Sequence, residues 1–261
     1  MIHPSSIISE SAKIDKSSYI GPFCVIGDNV EIGKNNRLIS HVSILGYTNI
    51  KNNNIFYPYS SIGSDPQDLK YKDEKSFLEI GSNNKFRENV TVNPGTSGGG
   101  LKTIIKDNCL FMVGSHIAHD CKISSNVILA NNATLAGHVE IHENAIIGGN
   151  SAIHQFVRIG KFAMIGGMSG VEKDIIPYGL YTGIRENLKS LNIVGLKRKG
   201  LKTDLINKIK TLVNLIFDQK DTIVNNIKKN SIKDHKISEI KEIISFINTN
   251  TKRGITSFNN D

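Results

Sequence analysis

Histidines with a neighbouring carboxylate stand in the middle of the chain at spacings that allow acid–base chemistry. His116, His119, His138 and His154 are four of the eight histidines, and Asp120 directly follows His119. A neutral imidazole can take a proton from a hydroxyl group as that group attacks, which typically raises a rate by about 10² to 10⁴. An adjacent carboxylate can orient the ring and stabilise the imidazolium. We therefore predict that His119 is a general base and Asp120 its partner, with no Ser or Cys nucleophile.

A six-residue repeat predicts how these side chains are positioned. Apolar residues occupy every sixth place from Ile105 to Val171 without exception. A period of six matches neither the 3.6 residues of a helical turn nor the two-residue alternation of a simple strand. It indicates a coiled prism of short strands, in which three repeats complete one coil. Residues 18 apart then lie on adjacent coils, separated by about 4.8 Å.

The 18-residue spacing puts several candidate site residues on one edge of this prism. His119, Gly137 and Gln155 follow one another at this spacing, and so do Asp120 and His138. The Gly137 backbone N–H, one coil above His119, is well placed to face an oxyanion, and such a donor is often worth about 10² to 10³ in rate. The alternative is a row of surface histidines without chemistry.

The same period delimits a repeat domain and two loops. It runs unbroken from Ile2 to Ile62, lapses over residues 64–79 and then resumes in phase. A second lapse, over residues 93–103, restarts one residue out of phase. Polar excursions that return to a repeat are inserted loops, and long loops on rigid scaffolds often carry function. We predict a repeat domain over residues 1–176 with loop insertions at these two places.

Helical spacing replaces the six-residue period in the last third of the chain. The apolar residues that share one helix face are Leu205, Ile209, Leu212, Val213 and Ile216. Two further helix candidates lie around residues 222–229 and 237–247. A small helical domain over residues 177–261 is the simplest interpretation. A basic amphipathic helix could touch a membrane, but packing against the prism is the favoured alternative.

Charge is concentrated in the C-terminal part. Residues 1–176 contain 16 Lys and Arg against 16 Asp and Glu, whereas residues 177–261 contain 16 against 8 and so carry the whole net charge of +8. Solvated helix surfaces and the binding of an acidic protein or a phosphate ligand both remain open. We expect no nucleic-acid binding, because the lysines are dispersed and no basic groove studded with aromatic residues accompanies them.

The chain carries none of the sequence signals of export. Its N-terminus lacks a charged region followed by an apolar run, and no stretch approaches 18 apolar residues. Cys24, Cys109 and Cys121 fall in a register otherwise filled by small residues, so we expect buried thiols rather than ligands or disulfides. These features predict a cytoplasmic protein with no integral membrane segment.

Two other kinds of site are possible from residue types alone, and their sequence context favours neither. The three glycines at residues 98–100 could cradle a phosphate, but without a strand-to-helix context they favour a flexible loop. Zinc needs three or four ligands, which histidines could supply across a subunit boundary. The spacing His-x-x-His gives only one pair, and Asp120 has a competing role. We therefore expect no metal and no cofactor.

Several long motifs are similar to one enzyme family. They are QDLK in the first loop, SHIAHDC, ILANNATLAGHV, AIIGGNSAIHQF, IGGMSGV and GLKRKG. With these motifs essentially the whole chain resembles the UDP-N-acetylglucosamine O-acyltransferases, which begin lipid A synthesis. The resemblance implies a left-handed parallel β-helix and a homotrimer with active sites between subunits. It also implies transfer of a 3-hydroxyacyl group from acyl carrier protein to the glucosamine 3-hydroxyl.

The same resemblance implies a role for individual residues. His119 would be the catalytic base, Asp120 its partner, and Gly137 the donor to the oxyanion. The residues that would bind substrate are Asp68, Lys70, His116, His138, His154, Gln155, Asn192 and Arg198. The positive C-terminal part suits an acidic carrier protein. Ile184, Glu186 and Val194 depart from the family pattern, which leaves the ribose contacts open.

Three alternatives remain, two enzymes and one non-enzymatic protein. A UDP-3-O-acylglucosamine N-acyltransferase normally carries an extra N-terminal domain, whereas here the repeats begin at Ile2. An acetyl-CoA-dependent sugar acetyltransferase would use a different donor. A non-enzymatic β-helix scaffold would not need clustered histidines. For the acyltransferase, Gly166 and Gly167 leave the groove floor without a side-chain plug, so we predict an acyl chain of about 14 carbons.

Overall fold

The chain coils into a prism because each six-residue repeat makes one short strand and one turn. The structure is a computed structural model that describes residues 1–232, 236–249 and 252–258. In nearly every two-residue strand the first side chain faces outward and the second, the repeat aliphatic, is buried, as in Glu31–Ile32. Many turns contain a residue with positive φ, most often asparagine, whose short side chain tolerates this backbone conformation.

The described residues contain 27 strands. Strands β1 to β27 are, in chain order, Ile7–Ile8, Lys13–Ile14, Tyr19–Ile20, Val25–Ile26, Glu31–Ile32, Arg37–Leu38, Ser43–Ile44, Tyr47–Ile50, Ile55–Phe56, Ser61–Ile62, Phe77–Ile80, Lys85–Phe86, Thr91–Val92, Lys102–Ile105, Leu110–Phe111, His116–Ile117, Lys122–Ile123, Ile128–Leu129, Thr134–Leu135, Glu140–Ile141, Ile146–Ile147, Ala152–Ile153, Arg158–Ile159, Met164–Ile165, Gly170–Val171, Gly179–Tyr181 and Ser190–Leu191.

Three sheets form the walls of the prism. Sheet 1 has the order β1-β4-β7-β10-β13-β16-β19-β22-β25, and sheet 2 has the order β2-β5-β8-β11-β14-β17-β20-β23. Sheet 3 has the order β27-β26-β24-β21-β18-β15-β12-β9-β6-β3. Paired strands are parallel and 18 residues apart over most of the prism, as for Ile117 with Leu135, and only β26 pairs with β27 in antiparallel fashion among the described strands. The predicted coil of three repeats is confirmed.

Two loops interrupt the coils, and their lengths explain the phase of the repeat. Ile62 pairs with Val92, 30 residues on, so loop 1 (residues 63–76) adds two whole repeats and keeps the phase. Val92 pairs with Ile117, 25 residues on. Loop 2 (residues 93–101) therefore adds seven residues to the 18 of one coil, which shifts the phase of the repeat by one residue. The predicted loops were too long, because their last residues pair as strands β11 and β14 and bury every second side chain.

The core is a column of apolar side chains along the prism axis. The rings of Phe56, Phe86 and Phe111 lie on successive coils with centroids 4.7 and 4.8 Å apart. Each coil thus buries its apolar residues against the coils above and below, which makes the array cooperative. The three cysteines are buried and free, as predicted for their register.

The helices follow the prism. They are α1 (Ile193–Arg198), α2 (Thr203–Ile216), α3 (Ile223–Lys229) and α4 (Ser238–Asn248). The last three match the predicted positions; α1 was not predicted, because it is short and contains a glycine, a poor helix former. Within the described residues, no helix has the length and apolar character needed to cross a bilayer.

The end of the chain returns to the prism. Two isolated bridges join Asp174 to Ile255 and Leu188 to Phe258. Sheet 3 continues past residue 176 to Leu191 before the first helix begins. The domain division after residue 176 therefore stays a prediction, and the predicted domain 177–261 includes residues outside the described ranges.

Candidate active site

His119 and Asp120 form a buried hydrogen-bonded pair at the corner between sheets 1 and 2. The corner is the turn that joins β16 to β17, and Asp120 adopts a φ of 60° there. His119 Nδ1 lies 2.8 Å from Asp120 Oδ2, and the two residues are only 5% and 4% exposed. Since the carboxylate can only accept, Nδ1 carries the proton and Nε2 is left as the basic nitrogen. This is the arrangement of a general base with an orienting carboxylate.

Loop 2 closes over the carboxylate of Asp120. The Thr96 backbone N–H lies 3.0 and 3.1 Å from the two carboxylate oxygens, and Thr96 Oγ1 donates to Oδ2 at 2.6 Å. The Asp120 backbone N–H donates to Thr103 Oγ1 at 2.8 Å. Burial raises the pKa of Asp120, but the hydrogen bonds from His119 and Thr96 outweigh it and lower the pKa below its usual value. Asp120 is therefore ionised at neutral pH.

Gly137 lies one coil above His119, as the spacing predicted. A Cβ atom on residue 137 would be 2.4 Å from Cε1 and 2.5 Å from Nε2 of His119, so no side chain fits there. The Gly137 carbonyl accepts from the Phe156 N–H at 3.2 Å, while its own N–H donates to no other residue that the structure describes. The amide of Gly137 is thus available beside the basic nitrogen of His119.

His138 continues the corner and is joined there by an aromatic ring. Its imidazole meets that of His119 edge-on, with centroids 5.0 Å apart, and stacks on Phe156 with centroids 4.3 Å apart. His138 Nδ1 is 3.9 Å from Asp120 Oδ2. Burial lowers the pKa of His138, and the negative charges of Asp120 and Asp68 oppose that shift. Asp68, in loop 1, therefore acts on the corner electrostatically.

His116 lies on the sheet 1 side of the same corner, half-buried on β16. Its Nδ1 is 2.7 Å from Thr91 Oγ1 on the preceding coil. Burial lowers the pKa of His116, and the neighbouring His119 lowers it further. The ring is therefore neutral at pH 7 and can serve as a hydrogen-bond donor or acceptor to a bound molecule.

The end of the chain contributes two cations to this corner. Lys252 Nζ lies 4.3 Å from the centre of the Phe156 ring. Arg253 donates from Nε to the Gln155 carbonyl at 2.7 Å and from Nη2 to His154 Nδ1. A cavity of about 290 Å³ at the corner is lined by Gly98, Gly99, Asp120, Lys122, His138, Glu140, Phe156, Arg158 and Lys252.

Loops 1 and 2 touch beside the corner. The Ser97 N–H donates to Glu74 Oε1 at 2.9 Å, and this bond together with one from the Lys72 N–H holds the pKa of Glu74 at about 2. In the same loop Asp68 accepts from the Lys70 N–H at 3.0 Å, and the Lys70 side chain is exposed. The loop that carries the predicted sugar contacts is thereby linked to the loop that covers Asp120.

Asn192 and Arg198 lie on a different face of the chain. They border a cavity of about 650 Å³ on sheet 3, whose other lining includes Phe162, Met164 and Val194. Asn192 caps helix α1, since its Oδ1 accepts from the Gly195 N–H at 2.9 Å. These two predicted ligands are thus not brought next to His119 within one chain.

Three side chains at the corner also lie close enough to surround a metal ion. His119, Asp120 and His138 each offer one ligand atom, and these atoms lie within 4.8 Å of one another. Both oxygens of Asp120 already accept hydrogen bonds, and His119 Nδ1 carries a proton, so a metal would have to break these bonds. The arrangement favours acid–base chemistry, and the expectation of no metal stays a prediction.

Sequence reasoning missed several residues of this corner. Phe156 continues the 18-residue spacing of Asp120 and His138, and that signal could have found it. Thr96 and Lys252 carry no such signal, since they reach the corner from a loop and from the end of the chain.

Two family models match the sequence. The model described as bacterial transferase hexapeptide (six repeats) matches residues 5–40 and 102–137. The model described as UDP N-acetylglucosamine O-acyltransferase, domain 2, matches residues 174–256. The first covers coils of the prism, and the second covers the helices with the last strands.

Relatives align over nearly the full length. An acyl-[acyl-carrier-protein]–UDP-N-acetylglucosamine O-acyltransferase of Thermodesulfovibrio yellowstonii is 49% identical over 97% of this chain and 98% of its own. One of Rickettsia canadensis is 47% identical over 98% and 97%. The crystal structure of the Francisella novicida UDP-N-acetylglucosamine acyltransferase superposes with a TM-score of 0.93 at 39% identity, covering 100% of this chain and 95% of the other. The left-handed parallel β-helix is confirmed, and this chain, an enzyme, belongs to the UDP-N-acetylglucosamine O-acyltransferase family.

Proposed function

We propose that this enzyme transfers a 3-hydroxyacyl group from the thioester of acyl carrier protein to the 3-hydroxyl of UDP-N-acetylglucosamine, the first step of lipid A synthesis. The observation that carries the proposal is the buried pair of His119 and Asp120, whose basic nitrogen lies against the backbone of Gly137. The relatives named above carry the same two substrates in their names.

The geometry supports a direct transfer without a covalent enzyme intermediate. His119 Nε2 takes the proton of the sugar hydroxyl as its oxygen attacks the thioester carbonyl carbon, while Nδ1–H stays bonded to Asp120. The carbonyl oxygen becomes negative and accepts a hydrogen bond from the Gly137 N–H. When the C–S bond breaks, the imidazolium returns its proton to the thiolate. The products are the acylated sugar nucleotide and the free thiol of the carrier.

Substrate binding is proposed for residues around the corner and on loop 1. His116, His138, His154 and Gln155 lie along the corner, and Asp68 acts on it from loop 1. The exposed amine of Lys70 is proposed to contact the sugar nucleotide phosphates. The net charge of +8 on residues 177–261 favours an acidic partner such as acyl carrier protein.

A homotrimer is part of the proposal. Asn192 and Arg198, the proposed nucleotide contacts, lie on sheet 3, whereas His119 lies at the corner between sheets 1 and 2. On one chain these two places lie on different faces of the prism. A neighbouring subunit that presents its sheet 3 to this corner would complete the site. A cytoplasmic location, an acyl chain of about 14 carbons and the absence of a cofactor belong to the same proposal.

One experiment tests the reaction and its rivals. Purified enzyme is given acyl carrier protein thioesters or acyl coenzyme A in separate reactions. Each reaction contains UDP-N-acetylglucosamine, its 3-amino analogue and UDP-3-O-acylglucosamine, and the products are identified by mass spectrometry. We expect an O-acylated UDP-N-acetylglucosamine from the carrier thioester. Product from coenzyme A alone would instead support an acetyltransferase, and acylation of UDP-3-O-acylglucosamine would support the N-acyltransferase.

A variant tests the role of the base. His119→Ala should keep the fold and lose about 10² to 10⁴ in turnover. His41→Ala is the matched control, because His41 also occupies a corner turn, is exposed and lies between the rings of Phe23 and Tyr59 instead of bordering the site. Retained transfer by a folded His119→Ala enzyme would refute the assignment.

A further inference from the structure

We infer that Thr96 is a positioning residue for the reaction, and that loop 2 is the element which holds the Asp120 carboxylate, and through it the His119 ring, in working geometry. The inference rests on the proposed function, because it assigns loop 2 a part in that reaction. The sequence had indicated only a flexible glycine-rich loop at this place.

Thr96 donates the remaining hydrogen bonds to the Asp120 carboxylate, beside the one from His119. Its N–H spans both carboxylate oxygens at 3.0 and 3.1 Å, and its hydroxyl donates to Oδ2 at 2.6 Å. Oδ2 also accepts a hydrogen bond from His119 Nδ1–H. Among the described residues, therefore, Thr96 and His119 together fix the carboxylate. A buried anion needs such donors to remain charged, and each one also narrows the directions the carboxylate can take.

The fit of loop 2 over Asp120 is close. A Cβ atom on Gly99 would lie 2.0 Å from Asp120 Cγ, so the loop backbone rests directly against the carboxylate. The Thr96 carbonyl accepts from the N–H groups of Gly99 and Leu101 at 3.0 and 2.8 Å, which closes a compact turn. The Ser97 N–H ties the turn to Glu74 of loop 1. Thr96 is thus held in place from both sides.

The hydroxyl of Thr96 should act on rate and on pH dependence, while substrate affinity stays the same. The Thr96 hydroxyl lowers the pKa of Asp120 together with the hydrogen bond from His119 and the charge of His138, whose Nδ1 lies 3.9 Å from Oδ2. Without that hydroxyl, the effect of burial is less opposed and the pKa of Asp120 rises. Asp120 then needs a higher pH to be ionised, and the acid limb of the rate profile moves to higher pH. Substrates do not touch a side chain that is buried under loop 2, so KM should not change.

The test compares two substitutions at one position. Thr96→Val keeps the shape and removes the hydroxyl, whereas Thr96→Ser keeps the hydroxyl. Hydrogen bonds to charged groups lead us to expect a kcat about 10- to 100-fold lower for Thr96→Val. KM for both substrates should be unchanged and the acid limb displaced upward, and Thr96→Ser should restore kcat and the pH profile. Thr96→Ala serves in the same way if the valine variant does not fold.

The control removes an equally buried hydroxyl elsewhere. Thr48 is 1% exposed and donates to the Leu45 carbonyl at 2.6 Å on an early coil. Thr48→Val should lower the melting temperature but leave kcat and the pH profile as in the native enzyme. An equal loss of kcat in Thr96→Val and Thr96→Ser would overturn the inference, and so would an unchanged pH profile in Thr96→Val.

A spectroscopic readout separates this inference from the proposed function. The carboxyl ¹³C signal of Asp120, followed by NMR through an acid titration, reports its pKa without any substrate. Thr96→Val should raise that pKa and Thr96→Ser should not. If the native enzyme transferred no acyl group, the proposed function would fail, whereas an unmoved Asp120 titration in Thr96→Val would defeat the positioning role itself.

Discussion

The backbone of Gly137 lies against the imidazole of His119, one coil below it, so closely that a methyl group at residue 137 would occupy the space of the ring. The Cβ atom would be 2.4 Å from Cε1 and 2.5 Å from Nε2. The same closeness that excludes a side chain brings the amide of Gly137 to the place where a base and a thioester carbonyl would meet.

Gly137→Ala should therefore abolish most of the activity. The methyl group must displace the His119 ring or the Gly137 amide, and either change separates base from oxyanion donor. We expect kcat to fall by at least about 10², the value typical of one lost donor. Gly149→Ala is the control, since residue 149 occupies the same repeat register and its Cβ would meet only the Asn131 carbonyl, at 3.2 Å. Equal kinetics for the two variants would contradict this account.

The buried ion pair of Arg158 and Asp174 should be a main support of the C-terminal part. Arg158 is 8% and Asp174 0% exposed, Nη2 and Oδ2 are 2.7 Å apart, and the Arg158 side chain also reaches the Phe246 carbonyl of α4 at 3.4 Å. Arg158→Met removes the guanidinium that faces the buried Asp174 carboxylate, so we expect a loss of about 3–5 kcal/mol in the free energy of unfolding, measured with urea.

An exposed ion pair provides the comparison for that measurement. Lys13 and Glu31 lie 2.7 Å apart on the surface of the first coils. Lys13→Met should leave the unfolding midpoint unchanged, because exposed pairs add little to stability. If Arg158→Met cost no more than this control, the buried pair would not be the link between prism and helices.

The half-buried histidines should make the fold sensitive to mild acid. Burial lowers the pKa of His138 from its ordinary 6.5, so between the folded pKa and 6.5 the unfolded chain binds more protons than the folded one. This contribution is fully present above pH 6.5 and is lost as pH falls through the folded pKa. The free energy of unfolding should thus fall as pH is lowered from about 7 to about 5.

His138→Asn should reduce that slope. Asparagine tolerates the positive φ of 63° at residue 138, so the corner turn can be kept while the titrating ring is removed. Urea denaturation of both proteins across this pH range is the measurement. A slope as steep in the variant as in the native protein would show that other groups cause the acid sensitivity.

Removing the proposed sugar nucleotide contacts of loop 1 should raise KM. The double substitution Asp68→Asn with Lys70→Met should raise the KM for UDP-N-acetylglucosamine more than it lowers kcat, because it removes binding that is equal in ground state and transition state. Lys72→Met, in the same loop and also exposed, is the control and should leave both constants unchanged. If only kcat fell, Asp68 and Lys70 would instead contribute to the chemical step.

A side chain at residue 167 should shorten the preferred acyl chain. A Cβ there would lie 3.2 Å from the Gly149 carbonyl, so a side chain can be added with a small shift and takes up volume at a residue that we predict on the groove floor. Competition among carrier thioesters should move the preference of Gly167→Met from about 14 carbons to a shorter chain, because a filled pocket accepts less volume. A native enzyme that already preferred 10 carbons would refute the length prediction.

The six-residue period carried most of the fold prediction. Burying one aliphatic residue per repeat is possible only if the chain turns after each short strand, so Ile117, Leu135 and Ile153 had to stack. The period did not give the limits of the loops, because Phe77–Ile80 and Lys102–Ile105 become strands through pairing with neighbours that are far apart in sequence.

The sequence by itself determined the spacing that sets His119 beneath Gly137 and Asp120 beneath His138, because residues separated by one full coil must become neighbours. Only the tertiary structure decided what surrounds them. Thr96 reaches Asp120 from a loop without a repeat, and the end of the chain brings Lys252 to Phe156. Such contacts depend on how irregular segments fold back onto the prism, and that path is set by packing and hydrogen bonding across the whole molecule rather than by any local pattern.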